Sequence, residues 1–277
     1  AIIDLAQRLD SSTAYGEKQS SKDDLIELLG YETNGYKASS TFQTISSAIL
    51  YLCDIGVKDI RKVVAKRPHV LAYDVEKTMK PRVEYLKSIV AKEEDIGKVV
   101  ARLPQVLEYD VEKTMKPRVE YLKSIGVKEE DIGKVVARLP QVLEYDVEKT
   151  MKPRVEYLKS IGVKEEDIGK VVARHPHVLE YDVNGNLKPT YEFLREKFNV
   201  RIEDIINTPA LLSYSLENRI KPRYEFLMSK GVKDDYTVLS TLVPSDENFA
   251  KLLKVPLQEY LDFKERYLQG QKQLAKK

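Results

Sequence analysis

The sequence predicts an all-α solenoid, and three observations lead to this prediction. Segments Tyr85–Glu120 and Tyr121–Glu156 are identical except at two adjacent positions, and Tyr157–Glu192 continues the same period of 36 residues. Prolines recur at two fixed places in each period. Between the prolines, apolar residues follow helical spacing. A period of this size is typical of proteins in which each unit buries its apolar face only against its neighbours.

Two series of prolines set the register of the units. The first series stands near the start of the first helix of each unit: Pro81, Pro117, Pro153, Pro189, Pro222 and Pro256. The second series follows the second helix: Pro68, Pro104, Pro140, Pro176, Pro209 and Pro244. The spacing is 36 residues in the centre and 33–35 toward the C-terminal end.

The first helix of the central unit is predicted to begin at Pro117, since a proline in the first helical turn loses no hydrogen bond. Val119, Leu122 and Ile125 then form one apolar stripe. Gly126 is predicted to end this helix in a left-handed conformation.

The second helix is predicted to begin near Glu129, where three consecutive acidic residues favour a helix N-terminus. Its apolar stripe consists of Ile132, Val135, Val136 and Leu139. Pro140 ends the helix. The short piece after Pro140 predicts a single 3₁₀ turn. Asp146 is predicted to cap a short turn, Val147–Met151, that leads into the next first helix.

The flanking regions are less regular. Residues 1–48 are predicted to form an N-terminal helical cap, with one helix from a capping-box start at Ser21 through Leu29 and another over Thr41–Asp54. The repeat array is predicted to cover residues 49–255, with near-identical units over about 81–188. Residues 256–277 are predicted to form a closing helix and a basic tail.

Composition excludes several classes of function. No stretch approaches the roughly 18 uncharged apolar residues of a membrane span, and the single Cys53 cannot form an intramolecular disulfide. The sequence shows no targeting segment after Ala1, so we expect such a segment to be absent or removed. It also contains no Gly-rich phosphate loop, no catalytic Ser/His/Asp set and no CxxC pair. We therefore expect no enzymatic activity, no cofactor, no metal, no membrane contact and a monomer.

Charge placement, rather than net charge, must create any binding surface. The chain has 46 basic and 44 acidic residues, a formal charge of +2, and the unit Pro117–Lys152 is neutral. Lys134 and Arg138 are four residues apart and therefore lie on one side of the second helix. The same pair recurs along the chain: Lys62 and Lys66, Lys98 and Arg102, Lys134 and Arg138, Lys170 and Arg174. A second series follows the first-helix proline: Arg82, Arg118, Arg154 and Arg223. A third comprises Lys87, Lys123 and Lys159.

These basic series have two interpretations. Basic residues near a helix C-terminus offset the helix dipole, and Glu130 with Lys134 is an ordinary pair on a helix surface. Alternatively, the series contacts the phosphates of a nucleic acid, with Arg better suited than Lys because its planar group can bind two oxygens at once.

The recurring string from Lys116 to Val127, followed by Pro140-Gln141-Val142-Leu143, resembles the mTERF (mitochondrial transcription termination factor) family. The resemblance covers roughly residues 49–260. It implies a left-handed, curved superhelix of helix–helix–3₁₀ units with a basic concave groove for nucleic acid. It also implies a location in mitochondria or chloroplasts for a natural chain, and a role such as transcription termination. Family members mostly bind double-stranded DNA, while certain plant members act on RNA.

The predicted function is therefore nucleic-acid binding, with double-stranded DNA preferred and RNA possible. Identical side chains at regular steps suit a uniform phosphate backbone better than a varied base sequence, so little base specificity is expected. The predicted contacts are Lys62, Lys66, Arg82, Lys98, Arg102, Arg118, Lys134, Arg138, Arg154, Lys170, Arg174 and Arg223. The alternatives are an RNA-binding protein of the same family and a designed repeat scaffold with no ligand.

The near-identity of the units also bears on the origin of the chain. Packing between repeats constrains apolar and turn positions, yet the solvent-facing letters match as well. A recent duplication is one explanation, and we favour an engineered chain with consensus-like central repeats. A cellular location would not apply to an engineered chain.

Two other residue sets have simpler explanations. The recurring tyrosines, among them Tyr85 and Tyr109, could stack on bases, but packing between repeats with the hydroxyl reaching water is the favoured interpretation. His175 and His177 have no third metal-ligand type nearby in the sequence, and His69 stands at the position that matches His177.

Overall fold

The computed structural model describes residues 40–90, 92–232 and 238–274. Within these ranges the regular elements are helices, and no strand occurs. The α-helices in chain order are α1 (Ser40–Asp54), α2 (Ile60–Lys66), α3 (Lys80–Ile89), α4 (Glu93–Arg102), α5 (Lys116–Ser124), α6 (Glu129–Arg138), α7 (Lys152–Ser160), α8 (Glu165–Arg174), α9 (Lys188–Phe198), α10 (Ile202–Asn207), α11 (Lys221–Ser229), α12 (Val238–Leu242), α13 (Asp246–Leu252) and α14 (Leu257–Leu274).

Each repeat contains a first helix, a second helix, a 3₁₀ segment and a five-residue π-helical segment. The 3₁₀ segments are Pro68–Ala72, Pro104–Leu107, Pro140–Leu143, Pro176–Leu179 and Pro209–Ser213. The π-helical segments are Val75–Met79, Val111–Met115, Val147–Met151, Val183–Leu187 and Leu216–Ile220. The predicted all-α array of helix–helix–3₁₀ units is confirmed.

The structure contains the predicted flanking helices wherever their residues are described. The helix predicted over Thr41–Asp54 is α1, and the closing helix predicted from Pro256 is α14. The helix predicted over residues 21–29 lies outside the described residues, as does the end of the basic tail. The chain divides into two compact units, with the boundary between Val147 and Glu148. The predicted division at residues 48 and 255 stays a prediction.

The segment predicted as a short turn is instead a π-helical turn that runs directly into the next first helix. In the first unit, Asp110 accepts a hydrogen bond from the backbone N–H of Lys113 at 2.7 Å, which is the capping role that we predicted for this position in the repeat. The backbone N–H of Met115 then bonds the carbonyl of Asp110 at 3.2 Å, and α5 follows without a break. Pro117 has no N–H to complete the usual helical bond, so this region cannot form a regular α-helical ladder.

The central first helix, α5, ends as predicted from its glycine. Gly126 has a φ of 89°, a conformation that costs glycine little. The backbone N–H of Val127 bonds the carbonyl of Leu122 at 3.0 Å, which is the hydrogen bond of a Schellman motif. Val127 itself is buried and so begins the contact with the second helix.

In the first unit the second helices α2, α4 and α6 pack on one another in sequence. Their apolar stripes form the core, with Val99, Val100, Val135 and Val136 fully buried. The predicted stripe of α6 is therefore confirmed, as are Val119 and Leu122 of α5. Burial of these side chains, at about 25 cal/mol per Å² of apolar surface, is the main stabilising contribution.

The second unit begins with the same arrangement and ends differently. Helices α8 and α10 pack together, and α14 packs on α11 and α13. Phe226, Phe249 and Tyr260 form a buried aromatic cluster, with ring centroids 4.9–6.2 Å apart. This cluster replaces the aliphatic packing of the repeats where the array closes.

Gly97 allows helix α4 to approach the backbone of Gly56 closely, and its substitution gives a first test. A Cβ atom at Gly97 would lie 2.1 Å from the carbonyl oxygen of Gly56. We expect Gly97→Ala to destabilise the first unit by about 1–3 kcal/mol, because the backbone must move. Gly270→Ala in α14 meets nothing within 4 Å and should stabilise by up to about 1 kcal/mol. Urea unfolding followed by circular dichroism measures both. Equal effects of the two substitutions would contradict the contact.

Candidate nucleic-acid interface

The lysines of the second helices form the first part of the candidate interface. Lys62, Lys98, Lys134 and Lys170 are all exposed. The ammonium groups of Lys98, Lys134 and Lys170 each lie 2.7 Å from the carboxylate three residues earlier. The hydrogen bond to Asp95 raises the pKa of Lys98 above its usual value. The i,i+4 pairing that the sequence predicted for Lys134 and Glu130 is thus replaced by an i,i+3 pair with Asp131.

Lys62 differs from the other three lysines. Helix α2 begins at Ile60, and Asp59 is its N-cap. The carboxylate of Asp59 accepts a hydrogen bond from the backbone N–H of Lys62 at 3.0 Å, rather than from its ammonium group. Among the described residues, the Lys62 ammonium makes no ion pair.

The second member of each pair lies at the C-terminal end of its helix, and in three of the four pairs it contacts the next second helix within the same unit. Lys66 Nζ donates to the carbonyl of Ala101 at 2.9 Å, and Arg102 Nη1 donates to the carbonyl of Ala137 at 2.7 Å. In the second unit, Arg174 Nη1 donates to the carbonyl of Ile206 at 2.7 Å. These carbonyls have no partner within their own helix, so the basic groups cap the neighbouring repeat. Arg138 is exposed at the matching position of α6.

The arginines that follow the first-helix prolines are half-buried and hold the backbone. Arg118 Nη1 donates to the carbonyl of Lys113 at 3.2 Å, which is the carbonyl that Pro117 leaves without a helical donor. Its Nε donates to the carbonyl of Tyr145 at 3.1 Å. Arg82 and Arg154 make the equivalent bonds within their own units. These three side chains therefore compensate the proline and connect adjacent repeats.

Arg223 lies in the core of the second unit and is fully buried. Its Nη1 donates to the carbonyl of Thr241 at 2.7 Å, and its Nη2 donates to the carboxylate of Asp246 at 2.6 Å. The guanidinium also lies over the ring of Phe249, 4.9 Å from its centroid. The sequence placed Arg223 among phosphate contacts, but a group buried in this way does not reach a ligand at the surface.

The recurring tyrosines contact neighbouring repeats. The hydroxyl groups of Tyr73 and Tyr109 donate to Glu108 and Glu144 of the following repeat. Tyr85 is half-buried, and burial raises its pKa to about 12. This supports the packing interpretation over base stacking.

The structure thus separates the twelve predicted contacts into two sets. Eight exposed basic residues on the second helices are retained, and we call them the second-helix row: Lys62, Lys66, Lys98, Arg102, Lys134, Arg138, Lys170 and Arg174. The other four, Arg82, Arg118, Arg154 and Arg223, hold the backbone or the core. Sequence reasoning missed the aspartates that bind the lysines of the row. The Asp-x-x-Lys spacing within each second helix is the signal that indicates them.

The described part of the chain shows neither a membrane-spanning helix nor a metal-binding cluster. No helix there is long and apolar enough to cross a bilayer. Over residues 40–90, 92–232 and 238–274, no group of three His, Cys, Asp or Glu side chains is placed to hold a metal ion. The rings of His175 and His177 lie 5.5 Å apart, and His177 Nδ1 is 2.6 Å from the carboxylate of Glu180.

The model of a known protein family matches most of the chain. No curated protein matches the chain. The mTERF family model matches residues 3–250, which includes every repeat described above. Proteins of this family are nucleic-acid-binding repeat proteins, are not known as enzymes, and are commonly found in organelles. The length of the match and the recurring helix–helix–3₁₀ unit lead to one conclusion: the chain belongs to the mTERF family.

Proposed function

We propose that this chain binds double-stranded DNA as a monomer, through phosphate contacts of the second-helix row and with little base specificity. The observation that supports this most strongly is the recurrence of an exposed lysine on each of three second helices, α2, α4 and α6, that pack side by side. Packing fixes the distance between these lysines, so the row presents regularly spaced cations.

The spacing suits a phosphate backbone. Packed helices lie roughly 8–10 Å apart, and successive phosphates of one DNA strand advance about 3.4 Å along the axis. One lysine per repeat therefore corresponds to about one contact for every three phosphates of a strand. Identical groups at such steps read the backbone and not the bases.

The tyrosines favour a duplex over a single strand. Binding of single strands relies on aromatic side chains that stack on unpaired bases. Here Tyr73 and Tyr109 donate hydrogen bonds to the next repeat, and Tyr85 is half-buried. The choice of duplex DNA over duplex RNA follows from the family resemblance.

Competition among nucleic acids tests the proposal. We expect a labelled 30-base-pair DNA duplex to bind, and its affinity to fall by about 10³–10⁵ between 50 and 200 mM salt if some six to ten phosphates are contacted. Unlabelled duplex DNA of a different sequence should compete equally well. Stronger competition by single-stranded or duplex RNA of equal length would favour the RNA-binding alternative. No binding to any of them at about 50 mM salt would favour the scaffold without a ligand.

For a natural chain we propose a location in mitochondria or chloroplasts and a role in stopping transcription. A protein bound along a duplex obstructs a polymerase that moves on the same DNA. Run-off transcription in vitro on a template with bound protein would show shortened transcripts. Full-length transcripts at saturating protein would argue against termination while leaving DNA binding intact.

A further inference from the structure

We propose that Asp95, Asp131 and Asp167 are built-in competitors of phosphate. Each carboxylate occupies a lysine ammonium of the second-helix row and so limits the affinity of the row for nucleic acid. This inference rests on the proposed function and concerns the regulation of the same site.

The geometry of the three pairs is the same. The carboxylate lies in the first turn of the second helix and its side chain is 16–24% exposed, whereas the lysine side chains are 53–61% exposed. The aspartate is therefore held close to the protein while the lysine extends toward water. An incoming phosphate meets an ammonium group that already has an anionic partner at 2.7 Å.

The competition is strong enough to measure and weak enough to be overcome. Exposed ion pairs stabilise a protein so little that losing one lowers an equilibrium constant by a factor of about 1.5–5. A phosphate can therefore displace each aspartate, at a cost of that factor per lysine. Three pairs together reduce the affinity by about 3- to 100-fold.

The first repeat provides an internal comparison. The stretch from Gly56 to Ile60 is two residues shorter than the matching stretch from Gly126 to Ile132. As a result Asp59 becomes the N-cap and binds a backbone N–H. Lys62 has an aspartate three residues earlier, as the other lysines do, but its ammonium is not occupied by that carboxylate. Lys62 is therefore expected to contribute more to binding than Lys98 does.

The test compares two triple variants with the same change in charge. One carries Asp95→Asn, Asp131→Asn and Asp167→Asn. Its matched control carries Glu93→Gln, Glu129→Gln and Glu165→Gln, which are first-turn acids of the same helices. Two of these, Glu129 and Glu165, contact Lys123 and Lys159 outside the row, at 3.0 and 3.3 Å. Thermal unfolding establishes that both variants fold.

Affinity for a 30-base-pair DNA duplex, measured by fluorescence anisotropy at fixed salt, is the readout. We expect the asparagine variant to bind about tenfold more tightly than the glutamine control. Equal gains, with the wild-type chain binding, would overturn this inference and leave the proposed function standing. Absence of binding by the wild type and by both variants would overturn the proposed function, and this inference with it.

A second measurement checks the internal comparison. Lys62→Ala should reduce affinity several-fold more than Lys98→Ala in the wild-type chain. In the triple-asparagine background the two effects should become much closer, because Lys98 then keeps only its longer contact with Glu94, at 3.9 Å. Equal effects already in the wild type would contradict the proposed competition.

Discussion

Charge reversal of Lys62, Lys98 and Lys134 to Glu is expected to weaken duplex DNA binding by about 10²–10³-fold at 0.1 M salt. Each phosphate contact contributes about 0.9 to the slope of log K against log salt, which amounts to nearly tenfold in affinity at 0.1 M. Loss of three contacts should therefore also reduce the magnitude of that slope by about 2.7. Repulsion by the new carboxylates adds to the loss.

The matched control is the charge reversal of Lys87, Lys123 and Lys159 to Glu. These lysines belong to first helices, and their ammonium groups lie 3.4–3.8 Å from glutamates in the same helix. The change in net charge is the same, so the control measures the long-range effect of charge alone. An anisotropy titration at several salt concentrations compares the two variants. Equal losses, with equal salt slopes, would show that the second-helix row is not the contact surface.

The lysines are a sharper test than the arginines of the same row. Arg102 and Arg174 donate hydrogen bonds to carbonyls at the C-terminus of the next second helix. A glutamate at either position would put a negative charge beside the negative end of a helix dipole. Loss of binding would then be mixed with loss of packing between repeats. Lys98 and Lys134 make ion pairs with acidic side chains of their own helices, and Lys62 makes no ion pair among the described residues.

The sequence allowed most of the fold to be predicted, because the signals involved are local. Pro117 and Gly126 act on their own backbone, and the apolar stripe of α6 needs only helical geometry to be recognised. The π-helical segment was missed for a physical reason. Asp110 and Pro117 indicate a turn there, but neither residue distinguishes a π-helical turn from another short turn. The contact that Arg118 adds to the carbonyl of Tyr145 joins residues 27 positions apart, so it is equally invisible to local signals.

The site was harder to predict than the fold. A recurring arginine has the same appearance in sequence whether it reaches a phosphate or a backbone carbonyl. The structure separates the exposed lysines from Arg118 and its equivalents only through partners in the next repeat. Arg223 stands at the same position relative to a proline as Arg118 does, but the chain that follows it folds into α13 and α14 and buries it.

The contacts between repeats also qualify the reasoning about the identical units. Gln105 and Tyr109 both donate hydrogen bonds to Glu144 of the next repeat, and Arg102 donates to the carbonyl of Ala137. Packing between repeats thus constrains several polar positions as well as apolar ones. Identity at those positions has a structural reason, so it is weaker support for an engineered origin than identity at the exposed lysines. The engineered origin stays a prediction.

Arg223→Met is expected to destabilise the second unit by about 3 kcal/mol. The substitution removes donors from the carbonyls of Thr241 and Leu242, which Arg223 Nη1 approaches at 2.7 and 3.2 Å. It also leaves Asp246 with Lys264, at 2.9 Å, as its remaining ion-pair partner among the described residues. Breaking a buried pair costs about 3–5 kcal/mol, and the lower end applies because Asp246 is partly exposed.

Hydrogen exchange of peptides within residues 238–274 measures this loss in the second unit directly. The control is Lys264→Met, which removes the other partner of Asp246 and should cost about 1 kcal/mol or less because that pair is closer to solvent. If the two variants lose the same stability, the buried Arg223 guanidinium contributes no more than an ordinary exposed ion pair does.

The effect should also depend on pH, through Asp246. Burial alone would raise the pKa of Asp246, but hydrogen bonds from Arg223 and Lys264 outweigh burial and hold the pKa below its usual value. Because the pKa of Asp246 is lower in the folded than in the unfolded protein, its ionised carboxylate stabilises the fold above about pH 4. This stabilisation is lost as the pH falls through the pKa of Asp246 in the folded protein. Without Arg223 this contribution shrinks, because burial then favours the neutral acid. The difference in free energy of unfolding between the wild type and Arg223→Met should therefore be largest at neutral pH and should become smaller below about pH 4. If this difference in free energy of unfolding stays constant from neutral to acidic pH, Arg223 stabilises the unit through its carbonyl contacts and not through Asp246.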